Sequence, residues 1–349
     1  MTNPFIDIIV PVWNQPFETR ACLVSVLQGF DETARLVIVN NGCNRETELL
    51  LEEFAEPLGE RVLYLCMERN VGFVPAVNRA LSRSCADWSL ILRPTSQLKH
   101  GWLPALRSAT TTPETGIVTP LCSGELPLPS QLAAKSPCAH LETCELSFAG
   151  LLLSRTMRER IGCFDEALDS DRWCLRDYQQ RAAAAGFLTI LTPAAALTSG
   201  ANQVYGSDER RKALLEHSTA TCLARWGATE RHAVYLPKEC DDAQLQATLQ
   251  TLLAAARRGN RCTLLLHRRQ YQLAAEHGWL CRHTGLELVG LGRLAPQRDL
   301  RRRITQLQAS HPGITIITGM PGMPVPGCDT PLPLSHITSL AKEIAPCRP

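Results

Sequence analysis

Hydrophobic positions along the chain follow two alternating periods. Ile6-Asp7-Ile8-Ile9-Val10-Pro11-Val12 is a short β-branched run closed by a turn, and Glu18–Gly29 then carries Ala21, Cys22, Val24, Val26 and Leu27 at helical spacing. That is a strand followed by a helix. The pair recurs as Leu36–Val39 before Asn40-Asn41-Gly42 with a helix over Glu46–Phe54, then as strand Val62–Leu65, helix Pro75–Ser82 and strand Trp88–Leu92. Such alternation predicts an α/β fold with a doubly wound, mostly parallel sheet. Ligands of such sheets sit beyond the C-terminal ends of the strands, which groups Pro11–Gln15, Asn40–Asn44 and Arg93–Gln97 around one crevice.

The pattern continues after Thr119-Pro120 with a Pro- and Ser-containing loop to about Ala139, an apolar run Phe148–Leu153 and a helix from Arg155. A helix over Leu175–Ala185 stops at Gly186, Phe187–Leu191 reads as a strand, and Ser207–Trp226 as an amphipathic helix. A boundary near Gly227–Arg231 divides the chain into domains 1–230 and 231–349. In the second, strands Ala233–Leu236, Thr263–Leu266, Leu286–Val289 and Ile314–Ile317 alternate with helices Asp242–Arg257, Arg269–His277 and Gln297–Ala309. This predicts a smaller α/β domain, and no G-x-G-x-x-G, P-loop or nucleophile elbow assigns it a chemistry.

Composition adds three constraints. With 45% hydrophobic residues in 349 the chain can bury a sizeable core, and no apolar run approaches the roughly 18 residues of a membrane span. The net charge of +2 conceals an asymmetry: residues 1–231 hold 22 basic and 26 acidic side chains (−4), residues 232–349 hold 14 and 8 (+6). Fifteen cysteines, an odd number with no C-x-x-C pair or zinc spacing, read as reduced thiols, and with no basic leader this gives a cytoplasmic expectation. Arg298, Arg301, Arg302 and Arg303 read as a solvated helix face, so no nucleic-acid partner is expected.

An ordered series of motifs carries the functional reading. Ile9-Val10-Pro11-Val12-Trp13-Asn14-Gln15 is similar to the strand-ending I-V-P-V-Y-N-E of family 2 glycosyltransferases, Val37–Cys43 to V-V-D-N-G-S, and Asn70-Val71-Gly72-Phe73-Val74-Pro75-Ala76-Val77-Asn78 to N-x-G-F-a-x-A-x-N. Gly101-Trp102-Leu103, Gly116–Pro120 and Gly162-Cys163-Phe164-Asp165-Glu166 resemble the later motifs p-G-W-L, v-G-x-v-x-P and G-G-F-D-E. Over residues 5–226 the chain therefore resembles that family. The resemblance implies a GT-A fold that transfers a sugar from a nucleotide-sugar donor to a glycan or other hydroxyl acceptor, lipid-linked ones included. Pro11, Asn14, Asn40, Asn70, Gly72, Asn78, Arg93 and Thr95 are the implied donor-binding positions. As turn and cap formers, Asn14, Asn70 and Asn78 can equally fix loop shape alone.

The chemistry implied by the resemblance is incomplete. The family uses Mg²⁺ or Mn²⁺ held by an aspartate in a turn that here reads Leu92-Arg93-Pro94-Thr95-Ser96, with threonine at the ligating position. Arg93 is either a guanidinium replacing part of the cation's charge or a solvated surface residue. The family's E-D base falls at Trp173-Cys174 or Cys174-Leu175, neither acidic, which leaves Asp171 and Asp177 as displaced candidates for the base. Asn40 stands for an aspartate and Ser199 for a histidine; with Thr95 and the Trp173–Leu175 stretch they are expected to line one crevice. Cys174 reads as packing rather than a nucleophile. The second class of function is a catalytically silent domain binding a nucleotide, a glycan or a partner glycosyltransferase.

Overall fold

A computed structural model describes residues 5–123, 138–169, 172–200, 208–320 and 322–337. It divides into two compact units, Met1–Leu128 with Glu145–Ala224, and Pro129–Cys144 with Arg225–Pro349.

The first unit is built on a mixed, mostly parallel sheet. Its strands are β1 (Ile6–Val12), β2 (Ala34–Asn41), β3 (Val62–Met67), β4 (Trp88–Ile91), β5 (Ser96–Leu98), β6 (Thr115–Ser123), β7 (Leu151–Ser154) and β8 (Leu188–Ser199), in the spatial order β3-β2-β1-β4-β7-β6-β8-β5. Strands β3, β2, β1 and β4 run parallel, β7 is antiparallel to β4 and β6, and β5 is antiparallel to β8. Every residue of β1 is buried because β1 is central and covered on both faces. Alternate side chains feed two cores. Ile8, Val10, Leu36, Ile38 and Leu90 pack with Cys22, Leu23 and Val26 of α1 (Pro16–Leu27) and with Leu51 of α2 (Arg45–Ala55). Ile9, Val37, Val39 and Ile91 pack on the other face with Val74, Val77 and Ala80 of α3 (Phe73–Leu81).

Helices α4 (Trp102–Ser108), α5 (Arg155–Ile161), α6 (Trp173–Ala184) and α7 (Asp208–Trp226) complete this unit. Ser218, Cys222 and Trp226 form the buried i, i+4, i+8 stripe of α7, while its first ten residues are almost entirely exposed. No described helix is long and apolar enough to cross a membrane.

The second unit is a parallel sheet of β9 (Arg231–Leu236), β10 (Arg261–Leu266), β11 (Leu286–Gly290), β12 (Thr315–Thr318) and β13 (Leu332–Pro333), ordered β11-β10-β9-β12-β13. Its helices are α8 (Asp242–Arg257), opened by an Asp241–Gln244 capping box, α9 (Arg268–Glu276) and α10 (Pro296–Ser310). In the arginine cluster of α10, Arg302 and Arg303 both pair with Asp299 of the same helix.

Residues Cys138–Cys144 dock on this second unit, although a contiguous reading places them in the first domain. Glu142, buried, accepts Arg257 Nε at 2.6 Å and lies 3.4 Å from Arg282 Nε, and its backbone bonds to Arg282 O and Thr284 N. Cys138 is bonded to Cys281, their Cα atoms 5.7 Å apart. This corrects the expectation of wholly reduced thiols. A pairing across 143 residues has no local signature. The twelve other described cysteines form no disulfide, and Cys347 lies outside the described residues.

Burial makes His283 an acid-sensitive group of the second unit. It is 2% exposed, Gly285 N–H donates to its Nδ1 at 2.8 Å, and burial, with Arg257 and Arg261 adding to it, pushes its pKa down to about 3. Between about 3 and its unfolded value of 6.5 the unfolded chain holds a proton that the folded chain lacks. The stabilisation is therefore complete above pH 6.5 and drains as pH falls, by up to about 1.4 kcal/mol per pH unit. Urea midpoints should drop between pH 7.5 and 5, less so in His283→Gln; equal drops in both proteins would assign the sensitivity elsewhere.

Candidate functional site

The loops leaving β1, β2 and β3 are bound to one another by side-chain amides. After β1, Asn14 and Gln15 both adopt left-handed backbone, φ 56° and 59°, before Pro16 opens α1. Asparagine tolerates this conformation, whereas for glutamine it stores strain. Asn14 Oδ1 accepts Asn44 N–H at 2.8 Å, which ties this loop to the turn after β2. Pro11 sits past Ile9–Ile91, the last β1–β4 pair, so its missing N–H removes no bond on that side.

At the end of β2, consecutive asparagines face opposite ways. Asn40, 1% exposed, accepts Cys43 N–H at 2.8 Å and donates to Glu48 Oε1 of α2 at 3.2 Å. An aspartate at 40 would set two carboxylates together, so the departure from the family pattern is matched by Glu48. Asn41 does the stitching: it accepts Val71 N–H at 3.0 Å and donates to Asn70 Oδ1 at 3.0 Å and Gly72 O at 3.2 Å. Asn70 in turn accepts Gly72 N–H at 2.8 Å. Glycine is required at 42, where φ is +73° and a Cβ would lie 2.5 Å from the Arg69 carbonyl carbon. Gly72, at φ +99°, is the N-cap of α3. Glu48 is the residue sequence reasoning passed over, and Asn41, read there only as a backbone donor, acts through its side-chain amide.

The turn after β4 is closed and buried. Arg93 donates its N–H to Phe148 O and accepts Ser96 N–H, both at 3.0 Å, and Thr95 O accepts Gly200 N–H at 3.1 Å. Ser96 pairs with Ser199 across β5 and β8. Arg93 is 8% exposed, which overturns the alternative of a solvated surface arginine. Thr95 and Ser96 are 7% and 0% exposed, yet neither hydroxyl has a hydrogen-bond partner. Each orphan costs about 1–3 kcal/mol in the absence of a ligand.

The later motifs are knit into the core. Asn78 accepts Phe164 N–H at 3.1 Å and donates to Phe164 O at 3.0 Å and Glu166 Oε1 at 2.8 Å. Phe73, Phe148, Phe164 and Tyr178 form a ladder of rings with centroids 5.1, 5.2 and 4.0 Å apart. Asp177 is 1% exposed and bonded to Arg181 Nε at 2.9 Å. Asp169 caps the start of α6 by accepting the N–H of Arg172 and Trp173, and Asp171 lies outside the described residues. Burial drives the Cys174 thiol far above its ordinary range, with Asp177 and Asp169 adding to it, which leaves no thiolate for nucleophilic attack.

Of the four divergent positions expected in one crevice, the structure joins Thr95 with Ser199 alone. Asn40 turns to Glu48, Tyr64 and Cys66 under α2. Trp173, Cys174 and Leu175 belong to the core on the α3 face, where a carboxylate would be desolvated.

Residues 7–123 match the family model for glycosyl transferase family 2. A stretch of 89 residues is 38% identical to an N-acetylglucosaminyltransferase from Neorhizobium galegae, covering 24% of this chain and 20% of that protein. Over 92 residues the chain is 32% identical to a PGL/p-HBAD biosynthesis glycosyltransferase from Mycobacterium bovis, covering 26% of this chain and 36% of that protein. The chain thus spans well under half the length of these curated relatives. In structure it is similar to GalNAc-T7 crystallised with UDP, GalNAc and Mn²⁺, with a TM-score of 0.53 at 13% identity over 63% of this chain and 48% of that one, which shows a shared GT-A fold. Residues 7–123 are thus similar to glycosyl transferase family 2.

The divalent cation that the resemblance implies does not fit the described residues of the β4 turn. The turn offers a guanidinium and two neutral hydroxyls, poor donors for a hard cation, and Ser199 stands where imidazole would ligate. Among the described residues, no three His, Cys, Asp or Glu side chains come together as metal ligands.

Proposed function

We propose that this domain transfers a sugar from a nucleoside-diphosphate sugar to a hydroxyl acceptor, a glycan or a lipid-linked saccharide. The observation that carries the reading is the amide lattice Asn14–Asn44 and Asn41–Asn70–Gly72, which fixes three strand-end loops where ligands of parallel α/β sheets dock. Rigid backbone at the end of such strands is preorganised for a nucleotide, so little ordering entropy opposes binding. The glycosyltransferase names of the matched relatives and the UDP bound by GalNAc-T7 support the same substrate class.

The test is a panel of nucleoside-diphosphate sugars with release of the nucleoside diphosphate as readout. Turnover of at least one donor is expected, and Asn41→Ala should raise KM about tenfold or more by releasing the Asn70–Gly72 loop. Absence of both turnover and nucleotide binding across the panel would refute the reading.

A further inference from the structure

We infer that the second unit docks on an anionic membrane surface through the turns that follow β10 and β11, with Arg268, Arg269, Arg293 and Arg298 meeting acidic lipid headgroups and Leu294 entering the interface. This surface belongs to the unit to which no sequence motif assigns a chemistry, and it is independent of the sugar-transfer reading.

The fold gathers these residues at one end of one sheet. β10 and β11 are adjacent and parallel, with Leu266 opposite Gly290, so residues 267–269 and 291–294 leave the sheet side by side. Leu291 N–H donates to Leu266 O at 2.8 Å, which holds the second turn against the end of β10. Gly292 N–H donates to Asp299 Oδ2 at 2.9 Å, which ties the same turn to the start of α10 and brings in Arg298. Arg293, Leu294 and Ala295 form the tip that follows, and all three are exposed. Leu294 is 98% exposed, more than any other large hydrophobic side chain described. Because both turns are fastened to the scaffold, that exposure is a property of the fold.

The charge around the leucine is uncompensated. Arg302 and Arg303 are taken by Asp299. Arg268, Arg269, Arg293 and Arg298 are exposed, and their guanidiniums make no ion pair or hydrogen bond among the described residues. The N-terminus of α10 adds to this, since its N-cap Ala295 supplies no side-chain acceptor to the positive end of the helix. A nucleic acid would engage the arginines and leave the leucine in water, and an apolar protein groove would take the leucine and strand the arginines. An interface rich in acidic lipid uses both at once: the charges draw the tip to the headgroups, and the leucine is buried among the acyl chains.

The experiment is flotation of the full chain with vesicles of phosphatidylcholine, alone or mixed with phosphatidylserine. Binding is expected to the mixed vesicles only, and it should weaken as added salt screens the surface charge. Each arginine near such a surface is worth about fivefold in partitioning, so Arg268→Gln/Arg269→Gln/Arg293→Gln should lower it about a hundredfold. Leu294→Ser should lower it about tenfold with the salt dependence unchanged. All four sites are exposed, so the melting temperature should stay that of the wild type. Arg258→Gln, at an exposed arginine just before β10 and hence at the other end of the sheet, should bind like the wild type. Equal binding to neutral and mixed vesicles, or binding to neither, would overturn the proposal. So would a short DNA duplex bound as tightly as the mixed vesicles with Leu294→Ser without effect on either, which would give the arginines to nucleic acid.

Discussion

Arg35→Ala is expected to destabilise the first unit by about 3–5 kcal/mol, a large share of the roughly 5–15 kcal/mol that holds a domain folded. Asp7 lies in the central strand with no solvent exposure. Arg35, its register partner on β2, reaches both carboxylate oxygens at 2.8 Å through Nε and one terminal nitrogen. Removing the guanidinium strands a buried charge, and that penalty exceeds the lost attraction itself. The Arg35 pKa is raised mainly by this hydrogen bond, which gives the coupling from the other side. The double variant Asp7→Val/Arg35→Ala should recover most of the loss, because it leaves no charge behind. Urea unfolding of the three proteins measures this, and a loss below about 1 kcal/mol for Arg35→Ala would show that water reaches Asp7.

Periodicity located most of the elements because it reports burial directly. The predicted helix Asp242–Arg257 is the observed one, and Ala233–Leu236 lies inside β9. Which atoms a motif residue touches is a finer matter. Asn40 and Asn41 are neighbours in sequence, but a strand turns alternate side chains to opposite faces, so one stabilises the β2 turn under α2 and the other stitches the loop before α3. Phe164 and Asn78 were visible as motif letters, yet their ring ladder and amide bonds need the fold to bring them together across 86 residues. The burial of Arg93 was illegible for the same reason: a strand-end arginine is exposed or enclosed according to β7 and β8, which come much later in the chain. Cys138–Cys144 was assigned by contiguity, and only Glu142 with its two arginines and the Cys138–Cys281 bond show where it belongs.

Asp177→Ala should lower stability by about 3–5 kcal/mol and leave turnover per folded molecule nearly intact, in contrast with the loss of about 10²–10⁴ that removal of a general base produces. Asp177 is 1% exposed, which gives an acceptor hydroxyl no approach, and its carboxylate accepts Arg181 Nε one turn along α6. Arg181 then donates to Ile161 O at 2.7 Å and Cys163 O at 2.9 Å. Those carbonyls flank the glycine that leads into Phe164, the residue bonded to Asn78 and stacked on Tyr178. Asp177 thus orients a guanidinium, and the guanidinium fixes the loop on which the aromatic ladder rests. Arg181→Met should cost a similar amount, and the double variant less than the sum, since each change breaks the same connection. Turnover corrected for the folded fraction separates the two roles: a hundredfold fall in Asp177→Asn with an unchanged melting temperature would make this carboxylate the base and remove its structural assignment.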